Sequence, residues 1–210
     1  MPSISAAAVS IPPLGLAGEL RAPAAPAGLV IFAHGSGSSR LSPRNREAAD
    51  AMTRAGLASL LFDLLTEAEA GDRRNVFDIE VLVGRLVQAI DWALARPDLA
   101  GLPIGLFGAS TGAAAALTAA AHRPADIAAV VSRGGRPDLA GPDLPQVTAP
   151  TLLIVGELDE PVLTWNRQAL ARLSGPASLA VVPGATHLFE EPGTLEAAIE
   201  LAVAWFAEHL

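Results

Sequence analysis

One serine stands between two glycines in Gly108-Ala109-Ser110-Thr111-Gly112, where the apolar run "IGLFGAS" (104–110) meets the alanine-rich "TGAAAALTAAA". The G-x-S-x-G spacing between a strand and a helix suits a nucleophile. A strand that reverses into a helix within one residue crowds the backbone, so glycine is needed on either side, and the strained turn holds the hydroxyl clear of the sheet. A serine hydroxyl is a weak nucleophile at neutral pH and needs a base, itself oriented by a third group. His187 in "GATH" (184–187) and Asp159 in "GELDE" (156–160) are placed to supply these. Two other readings of Ser110 compete: the N-cap of an alanine-rich core helix, and one polar residue in a membrane span.

These residues must be positioned by the elements around them. Short apolar runs, "LVIFAHG" (29–35), "ASLLFDL" (58–64), "IGLFGAS", "IAAVVSRG" (127–134), "TLLIVG" (151–156) and "SLAVVPG" (178–184), alternate with longer helical patterns. Continuous rather than alternating apolarity predicts strands buried on both faces of a parallel sheet. Ser42 followed by Pro43 reads as an N-cap with proline at the first helical position, and Gly56 as that helix's stop. Val76 to Arg96 carries an apolar face at helical spacing, and 161–175 is a further helical candidate. A closing helix from Thr194 puts Leu195, Ile199, Val203, Phe206 and Leu210 on one stripe. The expectation is a doubly wound α/β domain, mostly parallel and covered on both faces, spanning 1–210, with 1–27 as antiparallel edge strands and lead-in. Residues 132–150 read as a long irregular loop, too short for a cap domain, which leaves any active site open and shallow. Pro103 and four glycines argue against a membrane span over Leu99 to Ala121.

In such a sheet the ligand lies outside the carboxyl ends of the strands, where "HGSGSS" (34–39), Asp63, "GASTG", "SRGGR" (132–136), "GELDE" and "GATH" all fall. With "FAHGSGSS", "GASTG", "VGELDE" and "PGATHLF" in this order, nearly the whole chain from Leu29 resembles the α/β-hydrolase superfamily. It is most similar there to the small, cap-free, dienelactone-hydrolase-like members. The resemblance implies an acyl-transfer hydrolase with Ser110, Asp159 and His187 as triad. Dienelactone hydrolases proper use cysteine as nucleophile, and this chain has none. The expected activity is cleavage of small-molecule carboxylic esters or lactones through an acyl-enzyme, without metal or cofactor. Thioesterase, amidase or peptidase activity is the alternative from the same triad, and a non-catalytic binding protein the alternative from another class.

An oxyanion hole needs two donors. The backbone N–H of Thr111 is one candidate; by resemblance the N–H of Ser36 is the second, with Gly35 or Gly37 in reserve. Glu157, Glu160 and Asp63 are rival acids to Asp159. His34 reads as a residue that orients the oxyanion loop, and His122 and His209 as helix-ending cations. Arg40, Arg44, Arg46, Arg133 and Arg136 lie at the expected site edge. They either bind an anionic ester or lactone, with Arg44 and Arg133 foremost, or pair with Asp63, Asp72 and Asp138 to hold loops. Trp165 either lines the cleft or packs beneath its helix.

Composition sets the outer bounds. The net charge of −8, with no basic run, argues against a nucleic-acid partner. Without cysteine there is no disulfide framework or thiolate zinc site, and the four histidines offer no i, i+4 ligand pair. The N-terminal stretch lacks a basic region and is broken by Pro12 and Pro13, so a cytoplasmic chain is expected. Oligomeric state leaves no trace in the sequence.

Overall fold

A computed structural model describes residues 4–210; Met1 to Ser3, part of the expected lead-in, lie outside the described residues. The chain opens with strands β1 (Ile4–Ile11) and β2 (Leu16–Pro23), then alternates: β3 (Leu29–Ala33), α1 (Pro43–Arg54), β4 (Ala58–Phe62), two single-turn helices α2 (Glu67–Ala70) and α3 (Arg73–Val76), and α4 (Ile79–Leu94). There follow β5 (Ile104–Ala109), α5 (Thr111–His122), β6 (Ile127–Arg133), a 3₁₀ run (Pro137–Gln146), β7 (Thr151–Gly156), α6 (Glu160–Leu170), β8 (Ala177–Val182) and α7 (Thr194–His209).

The eight strands form one sheet in the order β1-β2-β4-β3-β5-β6-β7-β8. β3 to β8 run parallel; β1 and β2 are antiparallel additions at one edge. The apolar runs β3, β4, β5 and β7 are buried at every position, as continuous apolarity predicts. β8 departs from this: only Val182 is buried, because the strand pairs with β7 alone and forms the far edge. Two apolar clusters occupy the two faces. One joins the sheet to α4, α5 and the 3₁₀ run through Leu82, Leu86, Ala115 and Leu144; the other joins it to α1 and α7 through Met52, Ala48, Ile199 and Phe206.

Local chemistry explains the boundaries. Ser42 accepts the Asn45 N–H at 3.4 Å and caps α1, and Gly56 follows its end at φ 93°. Asp78 accepts the Val81 N–H, so α4 begins at Ile79 rather than at Val76, which closes the separate turn α3. α6 ends at Leu170, short of the expected Gly175. The expected irregular loop over 132–150 is also corrected. β6 runs through Arg133, and Pro137 to Gln146 coil as 3₁₀, where Pro142 and Pro145 fix φ and withhold the donors an α-helix would use.

α5 lies deepest. Thr111 through Ala121 are all buried, between α4 and the 3₁₀ run and against the sheet. Its alanines allow that close approach, and no helix among the described residues is long and apolar enough to cross a membrane. On the opposite face Ala198 and Ala202 are more deeply buried than Leu195 and Val203 of the expected stripe. Phe206 lies so close over Gly105 that a side-chain carbon there would come within 2.5 Å of the ring.

Candidate active site

Ser110 occupies the turn between β5 and α5 with φ 51° and ψ −120°, a conformation rare for any residue with a side chain. The flanking glycines are required by contact. A Cβ on Gly108 would lie 2.4 Å from Ala113 Cα, and one on Gly112 2.1 Å from the Ala33 carbonyl oxygen. Two hydrogen bonds fix the turn: the Ser110 N–H donates to the Arg133 carbonyl at 3.3 Å, and the Ser110 carbonyl accepts the Arg136 N–H at 3.1 Å. Ser110 stands at the N-cap position of α5, but its side chain makes no capping bond.

Asp159 and His187 come together from separate loops. The aspartate follows β7 and the histidine follows β8, and Asp159 Oδ2 lies 2.6 Å from His187 Nδ1. The Asp159 side chain is 11% exposed against 39% for His187, so the acid is sheltered while the imidazole reaches the surface. None of the rival acids reaches the imidazole. Glu157 accepts the Gly184 N–H at 2.8 Å, Asp63 accepts the Arg40 N–H at 2.7 Å and pairs with its guanidinium, and Glu160 sits in the exposed first turn of α6.

The histidine loop is held by residues that carry no motif of their own. Glu191 accepts the Thr186 N–H at 3.0 Å and its hydroxyl at 2.6 Å. Phe189, at φ 54°, is buried and pins the segment to the core. Gly134, at φ 52°, lies against the His187 ring, where a Cβ would come within 3.6 Å of Nδ1. The next residue, Gly135, is tied to α6 through its carbonyl, which accepts from the fully buried Asn166 Nδ2 at 3.0 Å.

His34 closes β3. Its Nε2 accepts the Leu64 N–H at 3.1 Å, and Nδ1 lies 3.0 Å from the Gly35 carbonyl, a pattern that requires the neutral ring protonated on Nδ1. Burial lowers the pKa of His34, which favours that form. The loop after it carries Ser36. The amides of Ser36 and Thr111 donate to no protein acceptor among the described residues.

Two cavities flank this loop, with Gly35, Ser36 and Ser38 in the wall of both. The larger, about 480 Å³, also reaches Thr111 and carries Leu41, Leu65, Val76 and Leu82 beside Arg40, Asp63 and Glu67. The smaller, about 210 Å³, holds Ser110, His187, Asn45, Arg44 and Arg133. The arginines divide accordingly. Arg40 pairs with Asp63 and Arg136 with Asp138, while Arg46 reaches Glu19 and Arg44 reaches the exposed Glu190 at 3.4 Å. Arg133 meets no carboxylate among the described residues. Trp165 lies under the Arg136 guanidinium, 4.2 Å from ring centre to Cζ, and packs in a small cluster with Val155 and Leu179 rather than in the wall of either cavity. His122 faces Asp143 at 3.7 Å, and His209 lies 2.8 Å from the Trp205 carbonyl. Among the described residues no three acids or histidines gather as a metal site would require.

Comparison with known proteins agrees with this fold. Residues 26–205 match the model of an alpha/beta hydrolase domain. The crystal structure of a dienelactone hydrolase from Anabaena variabilis is 52% identical, with a TM-score of 0.95, over 100% of this chain and 99% of that one. The chain belongs to the α/β-hydrolase superfamily, in its dienelactone-hydrolase-like branch. Est1E from Butyrivibrio proteoclasticus shares the fold at 17% identity and a TM-score of 0.81, over 96% of this chain and 98% of its own. Two curated relatives from strains of Mycobacterium tuberculosis are 59% identical over 94% of this chain and carry the provisional name phosphoribosyl transferase. The chain spans 45% of their length, about half.

Proposed function

We propose that the protein is a serine hydrolase that cleaves carboxylic esters or lactones through an acyl-enzyme. Ser110 attacks the carbonyl carbon, and His187 takes the hydroxyl proton and returns it to the leaving oxygen. Asp159 holds the imidazole in the productive tautomer and stabilises the imidazolium as it forms. Water then attacks the acyl-enzyme with His187 as base again, releasing the acid and restoring the serine. The Ser36 and Thr111 amides receive the oxyanion; removing one such donor typically costs about 10² in rate or more. The larger cavity takes the apolar portion of the ester, since it meets these two amides and is lined by leucine and valine beyond them.

The observation that carries this reading is the backbone of Ser110, strained and without a side-chain capping bond, in one cavity with a histidine whose Nδ1 lies 2.6 Å from a sheltered carboxylate. A helix cap has no use for such strain. Fluorophosphonate labelling followed by peptide mapping tests it: the adduct is expected on Ser110, and p-nitrophenyl valerate turnover is expected to vanish in Ser110→Ala. An unlabelled Ser110, or undiminished turnover in the variant, overturns the proposal.

A further inference from the structure

The segment Arg133 to Arg136, where β6 ends, lies between the nucleophile turn and the imidazole. It brackets Ser110: the Arg133 carbonyl accepts the Ser110 N–H at 3.3 Å, and the Arg136 N–H donates to the Ser110 carbonyl at 3.1 Å. Between these two contacts Gly134 lies against the His187 ring, and its own N–H donates to the Ile154 carbonyl of β7 at 2.8 Å. Gly135 packs so tightly beneath the turn that a Cβ there would collide with Ser132 Oγ and with the Ala113 side chain. A shift of this segment would therefore move the turn that bears Ser110 relative to His187.

From the other side the segment is held by α6, the helix that begins directly after Asp159. Asn166 stands seven residues beyond Asp159, close to a whole number of helical turns, on the buried face with Val162, Leu163 and Ala169. Its Nδ2 donates to the Gly135 carbonyl at 3.0 Å and, within the helix, to the Val162 carbonyl at 2.8 Å. Trp165, next in the helix, lies under the Arg136 guanidinium and docks the same segment a second time. The Asn166 amide oxygen is hidden from solvent and meets no donor among the described residues. A buried polar group left unpaired is costly, and a leucine of similar shape would avoid that cost. What the amide supplies in return is two donors, only one of which serves its own helix.

We infer that Asn166 is a positioning residue of the active centre. It couples the helix that begins after Asp159 to the segment that brackets Ser110 and abuts His187, and so keeps acid, base and nucleophile in register. Asparagine suits this place because its NH2 group offers both donors without charge, whereas aspartate would set a negative charge against two carbonyl oxygens. A misplacement of about 1 Å at a reacting centre can cost about 10²-fold in rate, so a tie made by one hydrogen bond is enough to matter. The inference rests on the triad reading of Ser110, His187 and Asp159, and its test separates the two.

Two substitutions divide the two bonds. Asn166→Leu removes both. Asn166→Thr keeps a hydroxyl that can serve the Val162 carbonyl, as Thr53 serves the Ala49 carbonyl in α1 at 2.8 Å, but its side chain is too short to reach Gly135. Both variants are assayed with p-nitrophenyl valerate well below their melting temperatures. In each, kcat is expected to fall about tenfold while KM changes by less than about twofold. Proton NMR reads the pair without turnover: the downfield resonance of the proton between His187 Nδ1 and Asp159 is expected to broaden or move in both variants. A lowered melting temperature with wild-type kcat and an unmoved resonance overturns the inference. Recovery of kcat in Asn166→Thr also overturns it, because the role would then be internal to α6. Where Asn166→Leu fails to fold, Asn166→Thr alone decides. A wild type that fluorophosphonate does not label at Ser110 overturns the hydrolase reading instead, and the resonance still reports whether Asn166 orients the imidazole.

Discussion

The two cavities on either side of the Gly35 to Ser38 loop share a wall and differ in nearly everything else. The larger contains Arg40, Asp63 and Glu67, of which Arg40 and Asp63 satisfy each other and Glu67 is exposed to solvent, beside leucine, valine and alanine. The smaller contains two arginines and no acid, and its deepest cation is unpaired. That difference is what the sequence could not announce, since all five arginines near the site edge look alike in the one-letter code.

The largest expected effect tests whether both cavities serve one nucleophile. Ser110→Ala should lower kcat by roughly 10³-fold or more for short and long esters alike, and Asp159→Asn should approach the same loss by destabilising the productive tautomer. If only one ester class is lost, the cavities do not share a reacting centre. Next comes the division of substrate between them. Ala70→Trp projects bulk into the larger cavity from the exposed end of α2 and should reduce kcat/KM for p-nitrophenyl octanoate by about tenfold, with p-nitrophenyl acetate nearly unaffected. Equal losses for both chain lengths would assign the apolar portion elsewhere.

A smaller effect concerns the shared wall. Only neutral His34 can accept the Leu64 N–H, and burial lowers its pKa in the folded state. Its contribution is therefore complete above about pH 6.5, the ordinary histidine value, and is lost as pH falls towards the lower folded value. Thermal melts from pH 7.5 to 5 should show this acid-side loss flattened in His34→Gln, whose side-chain oxygen can accept the same bond. The change should amount to about 1 kcal/mol, the scale of one hydrogen bond. Identical pH profiles would show that His34 does not hold the loop.

Much of this molecule is legible in its residues. Continuous apolar runs foretold a parallel sheet, Ser42-Pro43 foretold the start of α1, and the glycines around Ser110 foretold a turn that admits no Cβ. Misreadings cluster where local signals compete. Asp78 captured the start of α4 that periodicity had put at Val76, and β8 looked like a buried strand because an edge shows only in the completed sheet. Thr186, Glu191 and Phe189, which hold the His187 loop, offer no periodic pattern to find.

By itself the sequence determined the strand and helix alternation, the turn that bears Ser110 and the set of acids from which a partner for His187 had to come, because these depend on side-chain type and on spacing along the chain. Tertiary structure brought Asp159, the acid the sequence already favoured over Glu157, Glu160 and Asp63, to the imidazole, and it alone decided that Arg40 and Arg136 are neutralised and that Arg133 is not. Pairing and desolvation are properties of distance in space, and residues 88 positions apart, such as Arg133 and Asn45, become neighbours only when the sheet is complete.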